Sequence, residues 1–523
     1  MNASKEWGQE LAELEVRRGF AAQMGGSDAI AKWQAVGRLN ARERVDALVD
    51  AGSFREMGAL AGKGRYHADG TLDAVTPSTQ VMGLAEIDRR SVVVISDDFT
   101  IRGGSSEAAV AEKWVYADRY AYEYRKPIVR MVDTAGGSVK LLKQTGHTKI
   151  PGYAFLPGAQ LLGRSPVVGI AMGACAGLGA IRSAQAHFSI MLKGKSQVFA
   201  GGPPVVKQAL GHDIDKESLG GYEVHRVSGV VHNAADTEAE AFALARRFLS
   251  YLPANVWEAP PRTPGDDPAE RADAWLNDAI PRDRRKIFAP RKIVAALFDR
   301  ESAFEMQPHF GASLLTFFAR LNGIAVGVMI NNPVVMGGAL TRAASLKMER
   351  FVDLCDTFHL PIVNLVDQPG TMTGLEAERD GTMYATLRAG AAIEQSSVPW
   401  CAIVLRRCFG LAGAMLSPKF GPSGTALPHR FAWPSARWGS IPIEGGVAAA
   451  YRREIEASPD PIATRSGLED EYHQLSSPFR TAERFGIVDV IEPASTRPLL
   501  CRWAEDARAL TLHALGPRPR TMR

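Results

Sequence analysis

Cysteine is scarce and unpaired in this sequence. The chain has 523 residues and five cysteines (Cys175, Cys355, Cys401, Cys408 and Cys501), with no CxxC pair among them. That usage excludes a zinc ribbon and a disulfide ladder and suits a reducing compartment. Charge of one sign is also in short supply. With 61 Lys and Arg against 57 Asp and Glu, the formal net charge is +4. This gives no case for nucleic acid or an anionic membrane surface, although a local basic patch would still suit an anionic ligand. The longest apolar stretch, Pro166 to Ile181, holds four glycines and is shorter than a membrane span. Met1 to Phe20 is charged and has no apolar core, so no secretory leader is read there. There is no GxSxG elbow, no HExxH pair and no phosphate loop ending in GKS or GKT. His147, His187, His212, His225, His232 and His429 are scattered without metal-ligand spacing and read as structural or surface residues. The expectation is a soluble cytoplasmic (or mitochondrial-matrix) protein that binds no metal.

What the sequence does contain is a duplication. Pro127-Ile128-Val129 runs on to Val132-Asp133, and Pro361-Ile362-Val363 runs on to Val366-Asp367. Gly103-Gly104 precedes the first copy and Gly337-Gly338 the second, at 337 − 103 = 234. The run Val92-Val93-Val94-Ile95 has its partner at Val326-Gly327-Val328-Met329, and Gly177-Leu178 answers to Gly410-Leu411 at 410 − 177 = 233. One offset held over this span implies two copies of one α/β unit. A chain of this length exceeds a single core in any case.

The first 55 or so residues read as helical. Two β-like runs follow, at Val81 to Leu84 and Ser91 to Ser96. Ser105-Ser106-Glu107 resembles a helix start. Val110, Trp114, Ala117, Ala121 and Tyr124 then mark one buried helical face, and adding 234 gives Ala344, Met348, Phe351, Cys355 and Phe358, again all apolar. Cys355 is therefore read as core rather than nucleophile. Each helix leads into a strand ending at an Asp (Ile128 to Val132; Ile362 to Val366), and a further strand follows (Val167 to Ala171; Cys401 to Leu405). Such alternation of apolar strands and helices predicts a covered sheet. Ala259 to Asp267 reads as a linker, and the basic run Arg282 to Lys292 as a solvated segment.

Each of the later strands runs into a small-residue turn: Met172-Gly173-Ala174-Cys175-Ala176-Gly177-Leu178-Gly179-Ala180 in one copy, Arg407-Cys408-Phe409-Gly410-Leu411-Ala412-Gly413-Ala414 in the other. At a helix start the first N–H groups lack intrahelical acceptors and carry the positive end of the dipole. Two adjacent ones can hold an oxyanion. Close helix–strand packing selects the same small residues, and the sequence alone weighs the two readings evenly.

At these turns the chain resembles the carboxyltransferase (β) subunits of biotin-dependent acyl-CoA carboxylases, of the propionyl-CoA and methylcrotonyl-CoA type. The resemblance runs through Gly37-Arg38-Leu39-Asn40-Ala41-Arg42-Glu43-Arg44, Ser96-Asp97-Asp98-Phe99-Thr100, Gly202-Pro203-Pro204-Val205-Val206-Lys207, Leu219-Gly220-Gly221-Tyr222, Arg350-Phe351-Val352-Asp353, Asp367-Gln368-Pro369-Gly370 and Ala432-Trp433-Pro434. It implies two tandem crotonase-like ββα-superhelix domains. Residues 1–258 would bind acyl-CoA and 282–523 carboxybiotin, with 259–281 as linker. It further implies that carboxybiotin on a partner chain gives up CO2, that the acyl-CoA loses its α-proton, and that the CoA enolate attacks the CO2. Carried over, Gly177 and Leu178 would hold the thioester oxygen, or Leu178 and Gly179 in a second alignment. Leu411 and Ala412 would hold the ureido oxygen. Gly136, Gly137, Gly179 and Ala414 would border the acyl-CoA, and Gly410 and Gly413 the biotin. The implied assembly is a homo-oligomer, commonly a hexamer, with its site between halves of different protomers. No Ala-Met-Lys-Met biotinylation site and no ATP-binding carboxylase region is present, so a separate biotin carboxylase/carrier subunit is the implied partner.

The chain departs from that pattern in four places. Gly177-Leu178-Gly179 stands where many members have two glycines, and Asp133-Thr134-Ala135-Gly136-Gly137 replaces the common Asp-Ser-Gly-Gly-Ala. Gly413 and Ala414 occupy the places of a propionyl-type Tyr-Asp pair, which suggests a roomier acyl pocket. Its motifs mix the two types and leave the acyl group open. A decarboxylase or transcarboxylase subunit shares the same site, and a non-catalytic assembly subunit is a third reading. A hydratase or isomerase is disfavoured because Ile181-Arg182-Ser183 after the first turn offers no carboxylate.

Overall fold

The computed structural model describes residues 6–148, 152–153, 156–283, 285–418, 427 and 429–520. Residues 1–5 of the charged N-terminal stretch and residue 284 of the basic run lie outside these. The chain divides into two compact units, Met1–Ser250 and Tyr251–Arg523.

The first unit is built on β1 (Arg55–Glu56), β2 (Gln80–Ile87), β3 (Arg90–Asp97), β4 (Ile128–Thr134), β5 (Val167–Ala176), β6 (Phe188–Leu192), β7 (Gln197–Phe199) and β8 (Asn233–Ala235). Its order is β1-β2-β3-β4-β5-β6-β8, with β7 also on β5. The first two pairings are antiparallel and the rest parallel. The second unit repeats this with β9 (Phe304–Met306), β10 (Leu314–Leu321), β11 (Ile324–Asn331), β12 (Ile362–Gln368), β13 (Trp400–Phe409), β14 (Arg430–Ala432), β15 (Arg437–Gly439) and β16 (Asp489–Val490). Pairing and direction match strand for strand. Even the irregularity is copied. The register shifts between Val132 and Thr134 on β4 and between Val366 and Gln368 on β12. The duplication read from the sequence is a duplication of folds.

Helices cover the sheets where the apolar stripes predict, with differences at the ends. For the helices used below, α1 is Ala41–Leu48, α2 Ala111–Glu123, α3 Leu178–Ala184, α4 Arg342–Thr357 and α5 Gly410–Ala414. In the second copy all five stripe residues are buried, four within α4 and Phe358 just past its end. In α2, Trp114, Ala117 and Ala121 are buried, but Tyr124 is exposed and stacks on Tyr120 with ring centroids 4.2 Å apart. The helix also starts at Ala111, not at Ser105-Ser106-Glu107. Those residues hold a loop instead: the Ser106 hydroxyl accepts from the Ser138 amide at 2.9 Å, and the Ser138 hydroxyl donates to Glu107 at 2.6 Å. Gly62–Tyr66 and Leu72–Pro77 form a separate antiparallel ribbon that the sequence reading did not foresee.

The copies exchange volume at one shared contact. In the first unit Val93 on β3 faces the α2 side of the core, where Ala121 lies. In the second, Gly327 on β11 stands at the matching place, and a Cβ there would lie 2.4 Å from Cys355 Sγ on α4. Large-on-strand with small-on-helix has become the reverse, so packing density is kept. Cys355 is core, and burial pushes its thiol well above the ordinary range. Among the described residues no helix is long and apolar enough to cross a membrane.

Candidate functional site

In each unit the central parallel strand ends in a glycine of positive φ followed by a short helix. Gly177 closes β5 with φ 57° and ψ −114°, a conformation only glycine adopts easily, and α3 begins at Leu178. Gly410 closes β13 with φ 65° and opens α5. Helix-first amides have no intrahelical acceptor, and no side chain caps either helix. The Gly177 amide, however, donates to the Phe199 carbonyl on β7 at 3.1 Å. It is engaged inside its own unit. Leu178 and Gly179 come next, at the positions that an offset of 233 maps onto Leu411 and Ala412.

The other predicted positions gather around the same turns. Gly136, with φ 83°, approaches the first turn so closely that a Cβ would lie 2.9 Å from the Ala176 carbonyl. Its amide donates to Thr134 Oγ1 at 3.0 Å. Gly137 follows it and is exposed. A Cβ on Gly179 would lie 2.4 Å from Thr134 Cγ2, so that glycine is required by packing against β4. Gly413 is equally constrained, since a Cβ there would sit 2.8 Å from the Cys408 carbonyl carbon. Leu411 and Ala414 are exposed and Ala412 is buried. The turn after β12 reproduces the turn after β4 with other atoms: Gln368 Oε1 accepts from the Gly370 amide at 3.0 Å, as Thr134 Oγ1 does from Gly136.

Beneath each turn lies a buried aspartate that ends the neighbouring strand. The two copies neutralise it differently. Asp367 accepts from Arg406 at 3.1 and 2.8 Å and from Arg407 at 2.7 and 2.9 Å. Burial alone would raise its pKa, but the two forked guanidiniums hold it below the usual carboxylate range. In the first unit the place of Arg406 is taken by Gly173, whose missing side chain admits the Asp133 carboxylate; a Cβ would lie 2.2 Å from Oδ1. The cation comes instead from α1. Asn40 caps that helix, accepting from the Arg42 and Glu43 amides while Glu43 accepts from the Asn40 amide. This turns Arg44 inward to donate to Asp133 at 3.2 Å and to Glu238 at 3.2 and 2.9 Å. Arg38 is a second partner at 3.7 Å. Burial still prevails, and the Asp133 carboxyl is raised to about 6 against the pull of Arg44 and Arg38. Arg182 on α3 fastens the first turn's helix to β3 by donating to Asp97 at 3.0 and 3.2 Å.

Sequence reasoning singled out the Gly37-to-Arg44 motif and both strand-ending aspartates but assigned them no partnership; Arg44 and Asp133 are 89 positions apart and nothing local connects them. His187 and His232, read as structural, bond to backbone groups of the first unit.

Gly173→Ala tests the close approach under the first turn. The added methyl must displace the Asp133 carboxylate from Arg44. The expected loss is about 1–3 kcal/mol, the usual cost of overpacking, read as a lower denaturant midpoint at unchanged slope.

Residues 32–509 match the carboxyl transferase domain. The chain is 34% identical over 493 residues to a propionyl-CoA carboxylase carboxyltransferase subunit of Haloferax mediterranei, covering 93% of this chain and 94% of that one. It is 34% identical over 481 residues to a methylmalonyl-CoA decarboxylase subunit alpha of Veillonella parvula, with 91% of each covered. A transcarboxylase 12S crystal structure, described as a hexamer assembly with hydrolysed methylmalonyl-coenzyme A bound, superposes with a TM-score of 0.85 at 30% identity, covering 100% of this chain and 99% of that one.

Proposed function

Because the chain belongs to the carboxyl transferase domain family, with that family's two-domain crotonase-like α/β fold, we propose that it moves a carboxyl group from carboxybiotin on a partner chain to the α-carbon of an acyl-CoA. Residues 1–258 take the thioester and residues 282–523 the biotin. The observation that carries this reading is the pair of equivalent turns, each opening a helix with amides left over. The engaged Gly177 amide supports Leu178 and Gly179 as the donors to the thioester oxygen. Leu411 and Ala412, their repeat equivalents, hold the biotin ureido oxygen.

Carboxybiotin, when bound, supplies CO2 and the base for the α-proton. The chain's own part is electrostatic. Paired amides in the first unit stabilise the negative charge that develops on the thioester oxygen as the α-proton leaves, and they do so more in the transition state than in the ground state. Gly136 and Gly137 let the substrate lie close beside the first turn. Gly413 and Ala414 leave space where a larger pair would limit the acyl chain. Copies of the chain assemble as a homo-oligomer, a hexamer by analogy with the 12S structure.

The test is a panel of acyl-CoAs, acetyl to long-chain, branched and unsaturated, assayed with the co-purified biotinylated chain, ATP and labelled bicarbonate. ATP-dependent label in an acyl-CoA product is the expected result. Label exchange between a carboxylated and an uncarboxylated acyl-CoA without ATP would favour the decarboxylase or transcarboxylase direction, a second reading that the Veillonella and 12S relatives keep in view. No carboxyl transfer in either direction would overturn both.

A further inference from the structure

One buried cation of the first unit has no place in the chemistry above. Lys113, on the first turn of α2, is only 7% exposed. Its amine has no hydrogen-bond acceptor among the described residues. The stem runs along Gly58, where a Cβ would lie 3.5 Å from Lys113 Cε. Lys113 lines an open cleft of about 550 Å³ together with Met57, Ala61, Met82, Val110 and Tyr116. None of these residues belongs to the two turns.

The duplication supplies an internal comparison. Adding 234 to Lys113 gives Lys347, more deeply buried on α4 at 1% exposure. There the amine donates to the Gln307 and Leu314 carbonyls at 2.7 and 2.8 Å. The same lysine in the same fold is thus satisfied by two oxygens in one unit and by none in the other. Burial of the side chain lowers the Lys113 pKa to about 8, with Glu56 raising it and Arg42 lowering it. Glu56 is not a ready partner, because its carboxylate is already held by Arg42 at 2.7 and 3.2 Å. Glu112, the remaining carboxylate at the cleft, is exposed.

We propose that this cleft is a second ligand site, taking a molecule with an aliphatic body and a single carboxylate head, whose two oxygens stand in for the acceptors that Lys347 has and Lys113 lacks. The apolar walls cover the chain of the ligand and the ammonium fixes its end. Such a ligand is chemically a free acid of the kind that forms the acyl part of a thioester, bound away from the thioester turn.

The test uses the full chain, octanoate and the uncharged octanol, measured by calorimetry. Wild type should bind octanoate saturably and prefer it to octanol by about tenfold or more, the worth of one charge-assisted bond. Lys113→Met should erase that preference while keeping octanol binding, and its unliganded melting temperature should not fall. Lys113→Arg should retain the preference. Saturating coenzyme A should leave octanoate binding unchanged. Octanoate affinity unaltered in Lys113→Met, absence of saturable octanoate binding in the millimolar range, or displacement of octanoate by coenzyme A would each overturn the assignment. Since none of these readouts involves carboxyl transfer, they are independent of the proposed reaction.

Discussion

Replacing Leu178 by proline is expected to lower carboxyl transfer by about 10²–10³-fold, the loss seen when one oxyanion donor is removed. The position makes the test unusually clean. Leu178 is the first residue of α3, where proline is well tolerated because its fixed φ suits a helix and its missing N–H had no intrahelical acceptor to lose. Little should change except the donor. Leu178→Ala is the matching control: it keeps the N–H and removes only a side chain that packs, half-buried, against the core of the first unit. It should cost some stability and little rate. A donor that acts on charge developing in the transition state contributes to kcat and kcat/KM alike, so on the proposed role both should fall together in Leu178→Pro, with KM nearly unmoved. If the proline variant transfers carboxyl groups as fast as the alanine one, Leu178 does not hold the thioester oxygen. Leu411→Pro is the equivalent test in the second unit.

How far the sequence could lead is clearest on β5. Its reading stopped at Ala171 and treated Met172 onward as turn, yet the strand continues to Ala176. The glycines misled because they do different jobs. Gly169 lets the Ser183 carbonyl approach to where a Cβ would be 2.1 Å away, and Gly173 admits the Asp133 carboxylate; both are strand residues chosen for contact. Only Gly177 has the positive φ of a turn. Packing glycines and turning glycines are identical letters, and only the neighbours across the sheet tell them apart. The duplication, by contrast, was fully legible, because strand spacing and the apolar stripes are carried along the chain itself. The first donor pair was not legible in the same way: Gly177-Leu178 came first by resemblance, although Leu178-Gly179 is the image of Leu411-Ala412 at one offset, and no local signal announces the bond from Gly177 to Phe199. Tyr124 and the start of α2 were misjudged for the same physical reason as β5. The period of a stripe says which face is apolar, but not where the rest of the fold stops covering it.

Arg44→Met should remove about 3–5 kcal/mol from the first unit, the cost of stripping one partner from a buried ion pair. Arg44 is 1% exposed and ties three segments together: α1, which carries it, the end of β4 at Asp133, and the helix Glu238–Tyr251. Methionine fills much of its volume but leaves two carboxylates behind. Asp133 keeps only the longer contact to Arg38 at 3.7 Å, and its Oδ1 already has no hydrogen-bond partner. The loss should depend on pH in a definite sense. Asp133 is raised by burial from 3.8 to about 6, so the folded protein holds that proton more tightly than the unfolded chain does. Its contribution is therefore complete below the ordinary carboxylate pKa and is lost as pH rises through about 6. Without Arg44 the folded pKa climbs further, and the loss continues to higher pH. Near pH 5, where the carboxyl is largely neutral in the fold, the deficit of Arg44→Met should be small and due mainly to Glu238; near pH 8 it should be largest. Urea unfolding at both pH values measures it. Asp133→Asn added to Arg44→Met should then recover part of the deficit near pH 8, because the stranded charge is gone. An equal deficit at both pH values, with no recovery in the double variant, would mean that Arg44 stabilises the unit by packing alone and that the aspartate under the first turn is not balanced by it.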